Sequence, residues 1–291
     1  MTRKLLLLAV LITAAAGFYL KGLPVPTAKR EGASGAAPSM SGESPSSRGS
    51  IQPAESTGAY RRVSGQKFHI RPLQGRAYAL QQDFMPPEGD AAQVVASLLP
   101  RAEAGDEIAA FQIYRKIASC RDDLTSAKRS APSTDSESLV PADCRSIPAD
   151  QWRQYTARWL DEAAERSFVP AQLLYAIDSN AIVGSGPELI SHPEAVMDYR
   201  RKAMAYLNLA ASTGNADALS MLSSSYANGV ITKRDPMLAY AYFIATGLAY
   251  GDSGSAQRQW MRERLETGLD KKQVDYATQK GKQIYENCCS P

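Results

Sequence analysis

The feature that most constrains the fold of this chain is a helical pattern that breaks at a glycine and then resumes. Residues 213–215 (Thr-Gly-Asn) separate two apolar stripes at helical spacing. The stripe positions are Leu207, Ala210 and Ala211 before the break and Ala218, Leu222 and Tyr226 after it. Gly214 can take the left-handed conformation that ends a helix, and small alanine side chains let two helix backbones approach closely. The pattern predicts two antiparallel helices joined by a tight turn.

A third helix is expected soon afterwards. Asn228 and Gly229 form another stop signal, and Asp235 followed by Pro236 is typical of an N-cap with proline at the first helical position. The apolar positions of this next helix are Ala239, Tyr240, Phe243 and Ala245.

The step from a turn residue to an alanine four positions later recurs along the chain. Gly105 precedes Ala109 in this way, and Ser167, in place of glycine, precedes Ala171; Gly251 marks a further turn downstream. The turn positions 105, 167, 214 and 251 are 62, 47 and 37 residues apart, so the earlier units must carry insertions. Helix pairs that cannot bury their apolar face alone occur in stacks. We therefore expect an all-α fold over residues 91–289, a solenoid of stacked antiparallel helix hairpins.

The most regular part of this pattern resembles the Sel-one-like repeat (SLR), a relative of the tetratricopeptide repeat. The positions that carry the resemblance are Ala210, Ala211, Gly214, Ala218, Leu222, Tyr226, Gly229, Asp235 and Ala239. The resemblance covers about 45 residues well, is degenerate over residues 91–179 and departs from the family where Val230 and Ile231 replace a common Gly-Val. It implies a right-handed superhelix of hairpins whose concave face binds a protein or peptide.

The amino terminus has the composition of an export signal. Arg3 and Lys4 precede an apolar run over residues 5–20 that contains no charge. Residues 14–16 (Ala-Ala-Ala) offer a cleavage site, yet the run approaches the roughly 17 residues that a spanning helix needs. Residues 1–22 are thus a signal peptide or membrane anchor. We expect a retained anchor that places the chain in the periplasm at the inner membrane; a cleaved signal and a soluble exported protein is the alternative.

Two segments separate this amino terminus from the helical part. Residues 23–60 are mostly Ser, Gly, Ala, Pro and Glu, a composition that predicts a disordered linker. Residues 61–90 carry more apolar side chains among several arginines. We expect an irregular lead-in there that packs onto the first helix, with a short extended piece near residues 67–73.

The charge distribution argues against a nucleic-acid partner. The net charge of +3 comes entirely from the first 30 residues, which hold five basic side chains and no acid. Residues 91–291 hold 22 basic and 24 acidic side chains. A nucleic-acid binder would concentrate positive charge in its folded domain.

Four cysteines are expected to form disulfides in an exported chain. The sequence favours a bond between Cys120, predicted to end a helix, and Cys144, which precedes the next helix near Trp152. Such a bond would constrain a polar insertion. Cys288 and Cys289 are adjacent, and a direct bond between them, a bond to another chain and free thiols all stay open.

Several short strings imitate catalytic motifs without their required companions. Residues 251–254 resemble a protease nucleophile loop, and residues 64–67 have the Ser-x-x-Lys spacing of penicillin-recognising enzymes. Residues 192–194 match part of a zinc-deaminase signature, and residues 184–187 lack the lysine of a phosphate loop. We interpret all four as turns, caps or chance matches and expect no cofactor, no metal and no catalytic residue.

Aromatic side chains and one charged run are of the residue types that ligand sites and interfaces favour. The aromatic set, interpreted as core, comprises Trp152, Trp159 and the tyrosines at 155, 206, 226, 240, 242 and 250. Residues 199–202 (Tyr-Arg-Arg-Lys) are interpreted as a solvated helix face.

Two classes of function follow from the sequence. The first is a non-catalytic periplasmic scaffold that binds a protein or peptide partner, at positions the sequence does not reveal. The second is a cell-envelope hydrolase whose site is assembled from scattered residues such as Glu162, Asp198 and Tyr226. A broad shallow groove would favour the scaffold, and a deep pocket with paired carboxylates would favour the enzyme.

Overall fold

The computed structural model describes residues 69–81, 85–132, 135, 137–184, 186–251 and 256–290. The predicted signal or anchor at residues 1–22 and the predicted linker at residues 23–60 lie outside these ranges. Within the described ranges, no helix is both long and apolar enough to span a bilayer.

The described residues form two short strands, eleven helices and one 3-10 turn at Ala142–Cys144. The strands are β1 (His69–Pro72) and β2 (Tyr78–Gln81). The helices are α1 (Ala91–Glu103), α2 (Glu107–Ser130), α3 (Trp152–Glu165), α4 (Val169–Ile177), α5 (Ser179–Val183), α6 (Pro187–Ser191), α7 (Pro193–Ser212), α8 (Ala216–Asn228), α9 (Pro236–Tyr250), α10 (Ala256–Glu266) and α11 (Lys271–Cys289).

The longer helices stack as antiparallel hairpins in chain order. Helices α1 and α2, α3 and α4, and α7 and α8 form three hairpins, and α9 with α11 forms a fourth. Contacts of α2 with α3, α4 with α7 and α8 with α9 join them into one stack. The prediction of stacked helix hairpins is therefore confirmed. The short helices α5 and α6 occupy the connection between α4 and α7, one of the places where the turn spacing requires an insertion.

The last hairpin differs from the others in its second helix. Helix α11, rather than the neighbouring α10, is the main packing partner of α9. Gly281 makes this contact possible, because a Cβ atom there would stand 2.5 Å from the carbonyl oxygen of Ala241 and 2.7 Å from Cβ of Ile244. The backbones of α9 and α11 thus approach more closely than any side chain at position 281 would allow.

The predicted turn positions share one backbone conformation. Gly105, Ser167, Gly214 and Gly251 have φ angles of 96°, 63°, 91° and 75°. Ser167 is the one non-glycine residue with positive φ in the described part of the chain. A left-handed residue at the end of a helix redirects the backbone so that the next helix can return antiparallel.

Side-chain caps start the helices that follow two of these turns. The Asp106 carboxylate accepts from the backbone N–H groups of Ile108 and Ala109, and the Asn215 side chain accepts from that of Ala218. These bonds satisfy donors that the first turn of a helix leaves free. The alanines at 109, 171 and 218, each four residues after its turn, are all fully buried.

The residues that carry the SLR resemblance serve packing and turns. Ala210, Ala211, Gly214, Ala218, Leu222 and Ala239 are buried. Gly229 ends α8 with a φ of 71°, and Asp235 caps α9 through the N–H of Leu238. The backbone N–H of Asp235 donates to the carbonyl of Tyr226, which closes the loop between α8 and α9.

All eight residues of the predicted aromatic core are at least half-buried. Trp152, Trp159 and Tyr240 are buried, and Tyr155, Tyr206, Tyr226, Tyr242 and Tyr250 are half-buried. Burying a large apolar side chain fully is worth about 1.5–3 kcal/mol. Several of the half-buried tyrosines place the hydroxyl against a polar partner, as Tyr206 does with Asp161 at 3.1 Å.

A β-hairpin stands in the segment predicted as an irregular lead-in. Strands β1 and β2 pair antiparallel, with Ile70 opposite Leu80. Their connecting turn lies against the later repeats rather than the first helix: the N–H of Gln74 donates to Ala249 and that of Arg76 donates to Cys289. Both acceptors are among the carbonyls that the ends of α9 and α11 leave without an intrahelical partner. These free carbonyls explain why the segment is ordered there.

The first disulfide joins Cys120 to Cys144. The expectation that Cys120 ends a helix is wrong, because α2 continues ten residues beyond it to Ser130. The continuation keeps helical side-chain bonds, such as that from Thr125 Oγ1 to the carbonyl of Arg121. The disulfide therefore ties the middle of α2 to the 3-10 turn. Beside it, Lys116, which is buried on α2, pairs with Asp143 at 2.5 Å.

Candidate binding groove

An apolar concavity lies at the ends of the central helices, opposite the Gly214 turn. The ends of α4 and α8, the start of α7 and the short helices α5 and α6 enclose a groove of about 380 Å³. Its apolar lining includes Ile177, Val183, Leu189, Val196, Met221 and Val230.

Exposed aliphatic side chains rim this groove. Ile177 and Val230 are each 64% exposed, and Ile190, next to the lining residue Leu189, is 84% exposed. Val230 points outward because Gly229 reverses the chain with its left-handed φ, while the next residue, Ile231, turns inward and is buried. Apolar side chains gathered around a concavity mark a contact surface more often than scattered ones do.

The groove contains no paired carboxylates. Among the described residues that line it, Arg200 alone has a charged side chain. No ion pair of Arg200 is found within the described part of the chain. The polar side chains among these described lining residues are otherwise hydroxyls and one amide, and none of them is a carboxylate or a histidine.

Tyr199 forms part of the groove wall. It is buried, and its hydroxyl donates to the carbonyl of Ala176 at 3.1 Å. Burial, together with the negative charge of Asp178, raises the pKa of Tyr199 to about 12. The phenol is thus neutral across the physiological range and acts as a hydrogen-bonded wall.

A partly buried polar network fixes one side of the groove. The carboxylate of Asp178 accepts from the hydroxyl of Tyr114 at 2.7 Å, from Nη2 of Arg121 at 2.9 Å and from the N–H of Ala181. Burial first, and then the charge of Asp178, raise the pKa of Tyr114 above its usual value. The network joins α2 to the junction of α4 and α5. It therefore holds the backbone next to Ile177 in place.

A second surface is formed by the first helix of each hairpin, and we call it the first-helix face. Ion pairs join α1 to α3 through Glu103 and Arg158 at 3.8 Å, and α3 to α7 through Asp161 and Lys202 at 2.7 Å. Although burial alone would lower it, hydrogen bonds to Asp161 and Glu165 raise the pKa of Lys202. These charged side chains on the first-helix face thus form ion pairs with one another.

The prediction of a solvated face at residues 199–202 is wrong in two positions. Tyr199 is buried, and Lys202 is half-buried between Asp161 and Glu165; Arg200 and Arg201 are exposed. Consecutive residues of a helix point about 100° apart, so four of them cannot share one face.

The residues proposed for a hydrolase site are each held by a different neighbour. Glu162 pairs with Arg158 at 2.9 Å and Asp198 pairs with Arg201 at 2.5 Å. Tyr226 stacks on Tyr242 with ring centroids 5.7 Å apart. The described residues also contain no cluster of three side chains suited to hold a metal ion.

Where they are described, the strings that imitate catalytic motifs lie in turns or at helix ends. His192 is the residue before α7 and its side chain makes no cap hydrogen bond. Gly184 and Gly186 have positive φ angles in the connection between α5 and α6. Gly251 ends α9, and residues 64–67 and 252–254 lie outside the described residues.

Comparison with protein-family models finds no match, and neither does comparison with curated proteins. Among solved structures, the chain is similar to c5321, a protective antigen present in uropathogenic Escherichia coli strains that displays an SLR fold. The two chains are 16% identical with a TM-score of 0.38, over 67% of this chain and 41% of that protein. This chain thus spans about two fifths of that protein's length.

Proposed function

We propose that this chain is a non-catalytic helical-repeat scaffold that binds a peptide segment of a protein partner in the groove beside Ile177 and Val230. The observation that carries the proposal is the combination of an apolar concavity with aliphatic side chains exposed around it. A volume of about 380 Å³ is large enough for the apolar side chains of a short peptide.

The charge at the groove indicates the chemistry of this peptide. Arg200 stands at the edge, and no carboxylate lines the groove within the described residues. A complementary segment presents apolar anchors followed by an acidic side chain or a terminal carboxylate, which would pair with the guanidinium. The fixed Tyr199 and Asp178 network supports the same proposal, because a preformed site spends less free energy on ordering itself.

The proposal places this scaffold in the cell envelope. The export pattern of residues 1–22 and the Cys120–Cys144 bond support that location, since disulfides persist in oxidising compartments. Fractionation of the source cells, with the amino-terminal mass of the purified chain, tests it. Recovery from the cytosol with reduced cysteines would contradict it.

The binding proposal is tested by site-specific photocrosslinking in the exported, full-length protein. A photoreactive residue replaces Ile177 or Val230, and Lys272, exposed at the start of α11, serves as the matched control. We expect one protein band that appears at the groove positions and is absent at Lys272. A peptide from the crosslinked segment should bind the purified protein.

Variants then assign the binding to the groove. Ile177→Asp and Arg200→Glu should each weaken peptide binding at least about tenfold, a loss of roughly 1.4 kcal/mol. Lys272→Glu should leave the Kd unchanged. Equal crosslinking at all three positions, preferential binding of a fatty acid, or hydrolysis of a cell-wall substrate by the purified protein would overturn the proposal.

A further inference from the structure

The adjacent cysteines at the end of α11 are bonded to each other. Their two sulfur atoms belong to residues with different surroundings. Cys288 is 8% exposed and lines a cavity of about 220 Å³ between α7, α9 and α11. Cys289 is fully buried, and its carbonyl accepts the hydrogen bond from Arg76 in the β-hairpin turn. Cys288 thus faces the cavity, and Cys289 contacts the hairpin.

The cavity offers an approach for a small molecule. Asn208 and Ser212 of α7, Tyr242 of α9 and Asn287 of α11 are among its walls. Thiol–disulfide exchange requires a thiolate to reach one sulfur of the bond. Cys288 is only 8% exposed, so a low-molecular-weight dithiol can reach it more readily than the cysteine of a folded partner can.

We propose that the Cys288–Cys289 disulfide is a reversible exchange site for small dithiols, which enter through this cavity and attack Cys288. The attacking thiolate forms a bond to the sulfur of Cys288, the bond between the two protein sulfurs breaks, and the electron pair leaves on Cys289, which takes a proton from water. The second thiol of the reagent then attacks the reagent's first sulfur, which is bonded to Cys288 in the mixed disulfide. The bond to Cys288 breaks, and Cys288 leaves as a thiolate that takes a proton. The dithiol is oxidised to a cyclic disulfide, and the protein gains two electrons and two protons.

The Cys120–Cys144 bond is the internal reference for this proposal. Its cysteines are 0% and 1% exposed, whereas Cys288 is 8% exposed and lines the cavity. Because access to the sulfur governs exchange in a folded protein, the two bonds should differ in rate in the same molecule.

The rates are measured on the full purified chain with dithiothreitol, acid quenching, alkylation and peptide mass spectrometry. We expect the Cys288–Cys289 bond to be reduced at least about tenfold faster than the Cys120–Cys144 bond under native conditions. Equal rates, faster reduction of Cys120–Cys144, or reduction of both bonds only after unfolding would overturn the proposal.

Two matched variants test the route of entry. Ser212 is exposed on the cavity wall, and Ser220 is exposed on α8 outside it. Ser212→Trp should slow reduction of the Cys288–Cys289 bond several-fold, and Ser220→Trp should leave its rate unchanged. Equal rates in the two variants would exclude the cavity as the route.

Single cysteine variants test which sulfur is attacked. Cys289→Ser leaves Cys288 on the cavity, and we expect a small alkylating reagent to label it in the folded protein. Cys288→Ser leaves the buried Cys289, which should be labelled only after denaturation. Thermal melting of both variants checks that they are folded, and equal native labelling would contradict attack at Cys288.

Discussion

The carbonyl oxygen of Arg76 lies 2.8 Å from the position that a Cβ atom would occupy on Gly214. This contact joins the hairpin turn to the repeat turn between α7 and α8. The N–H of Tyr78 strengthens the same junction, because it donates to the carbonyl of Gly214 at 3.0 Å. The glycine therefore serves two purposes, a left-handed turn and a close contact with the hairpin.

Gly214→Ala should destabilise the protein more than alanine at an equivalent free turn. Gly268 provides the comparison, because its φ of 90° nearly equals the 91° of Gly214 and nothing lies within 4 Å of its added Cβ. The left-handed backbone alone should cost Gly268→Ala about 1 kcal/mol. Gly214→Ala should lose about 1 kcal/mol more, since the hairpin must shift. Urea unfolding measures both values, and equal losses would mean that the hairpin contact is weak.

Ser167→Gly should stabilise the protein. Ser167 has a φ of 63°, which strains a residue that carries a Cβ atom. Relief of this strain stabilises the folded state by about 1–2 kcal/mol. The greater conformational freedom of glycine in the unfolded chain offsets about 0.5–1 kcal/mol of that gain. We expect a net gain of about 0.5–1 kcal/mol in the free energy of unfolding. Ser167→Val, with a branched side chain, should lose stability at the same position.

The turns could be predicted from sequence because each is specified by neighbouring residues. The spacing of Gly105, Ser167, Gly214 and Gly251 from the following alanines reflects one local geometry, and helix caps follow the same local logic. The helix that pairs with α9 was not predictable in this way. Its choice depends on Gly281, a position whose importance appears only when α11 lies against α9.

The hairpin and the groove are tertiary features that no local pattern contains. The hairpin is ordered by carbonyls from Ala249 and Cys289, far along the chain. The groove draws its walls from five helices and a loop, and Ile177 and Val230 resemble core residues until the structure shows them exposed. The departure of Val230 and Ile231 from the SLR pattern was the one sequence signal close to the groove.

Removal of the Cys120–Cys144 bond should destabilise the protein by about 3 kcal/mol. The bond closes a sequence separation of 24 residues, so it restricts the unfolded chain substantially. A Cys288→Ala/Cys289→Ala double variant is the matched control, because a separation of 1 restricts the unfolded chain very little. Chemical unfolding of both double variants gives the comparison. A larger loss at residues 288 and 289 would show that packing, rather than loop closure, dominates.

Stability should fall in alkaline solution because of buried tyrosines. Burial, with the charge of Asp178, raises the pKa of Tyr199 to about 12, and burial with a hydrogen bond to Glu266 raises that of Tyr240 to about 12. An unfolded tyrosine ionises near 10. Each raised pKa therefore contributes stability that is complete below pH 10 and is lost as the pH rises from 10 through 12.

The contribution of Tyr199 can be isolated with a phenylalanine variant. At pH 8, Tyr199→Phe should be less stable by about 1 kcal/mol, because the hydrogen bond to Ala176 is lost. Between pH 10 and 12 its stability should fall less steeply than that of the wild type, since one ionisable buried phenol is gone. Tyr276→Phe is the control, because Tyr276 is 62% exposed and is solvated in both states. Urea midpoints measured across this pH range give the slopes, and identical slopes for wild type and Tyr199→Phe would exclude Tyr199 as a source of the alkaline loss.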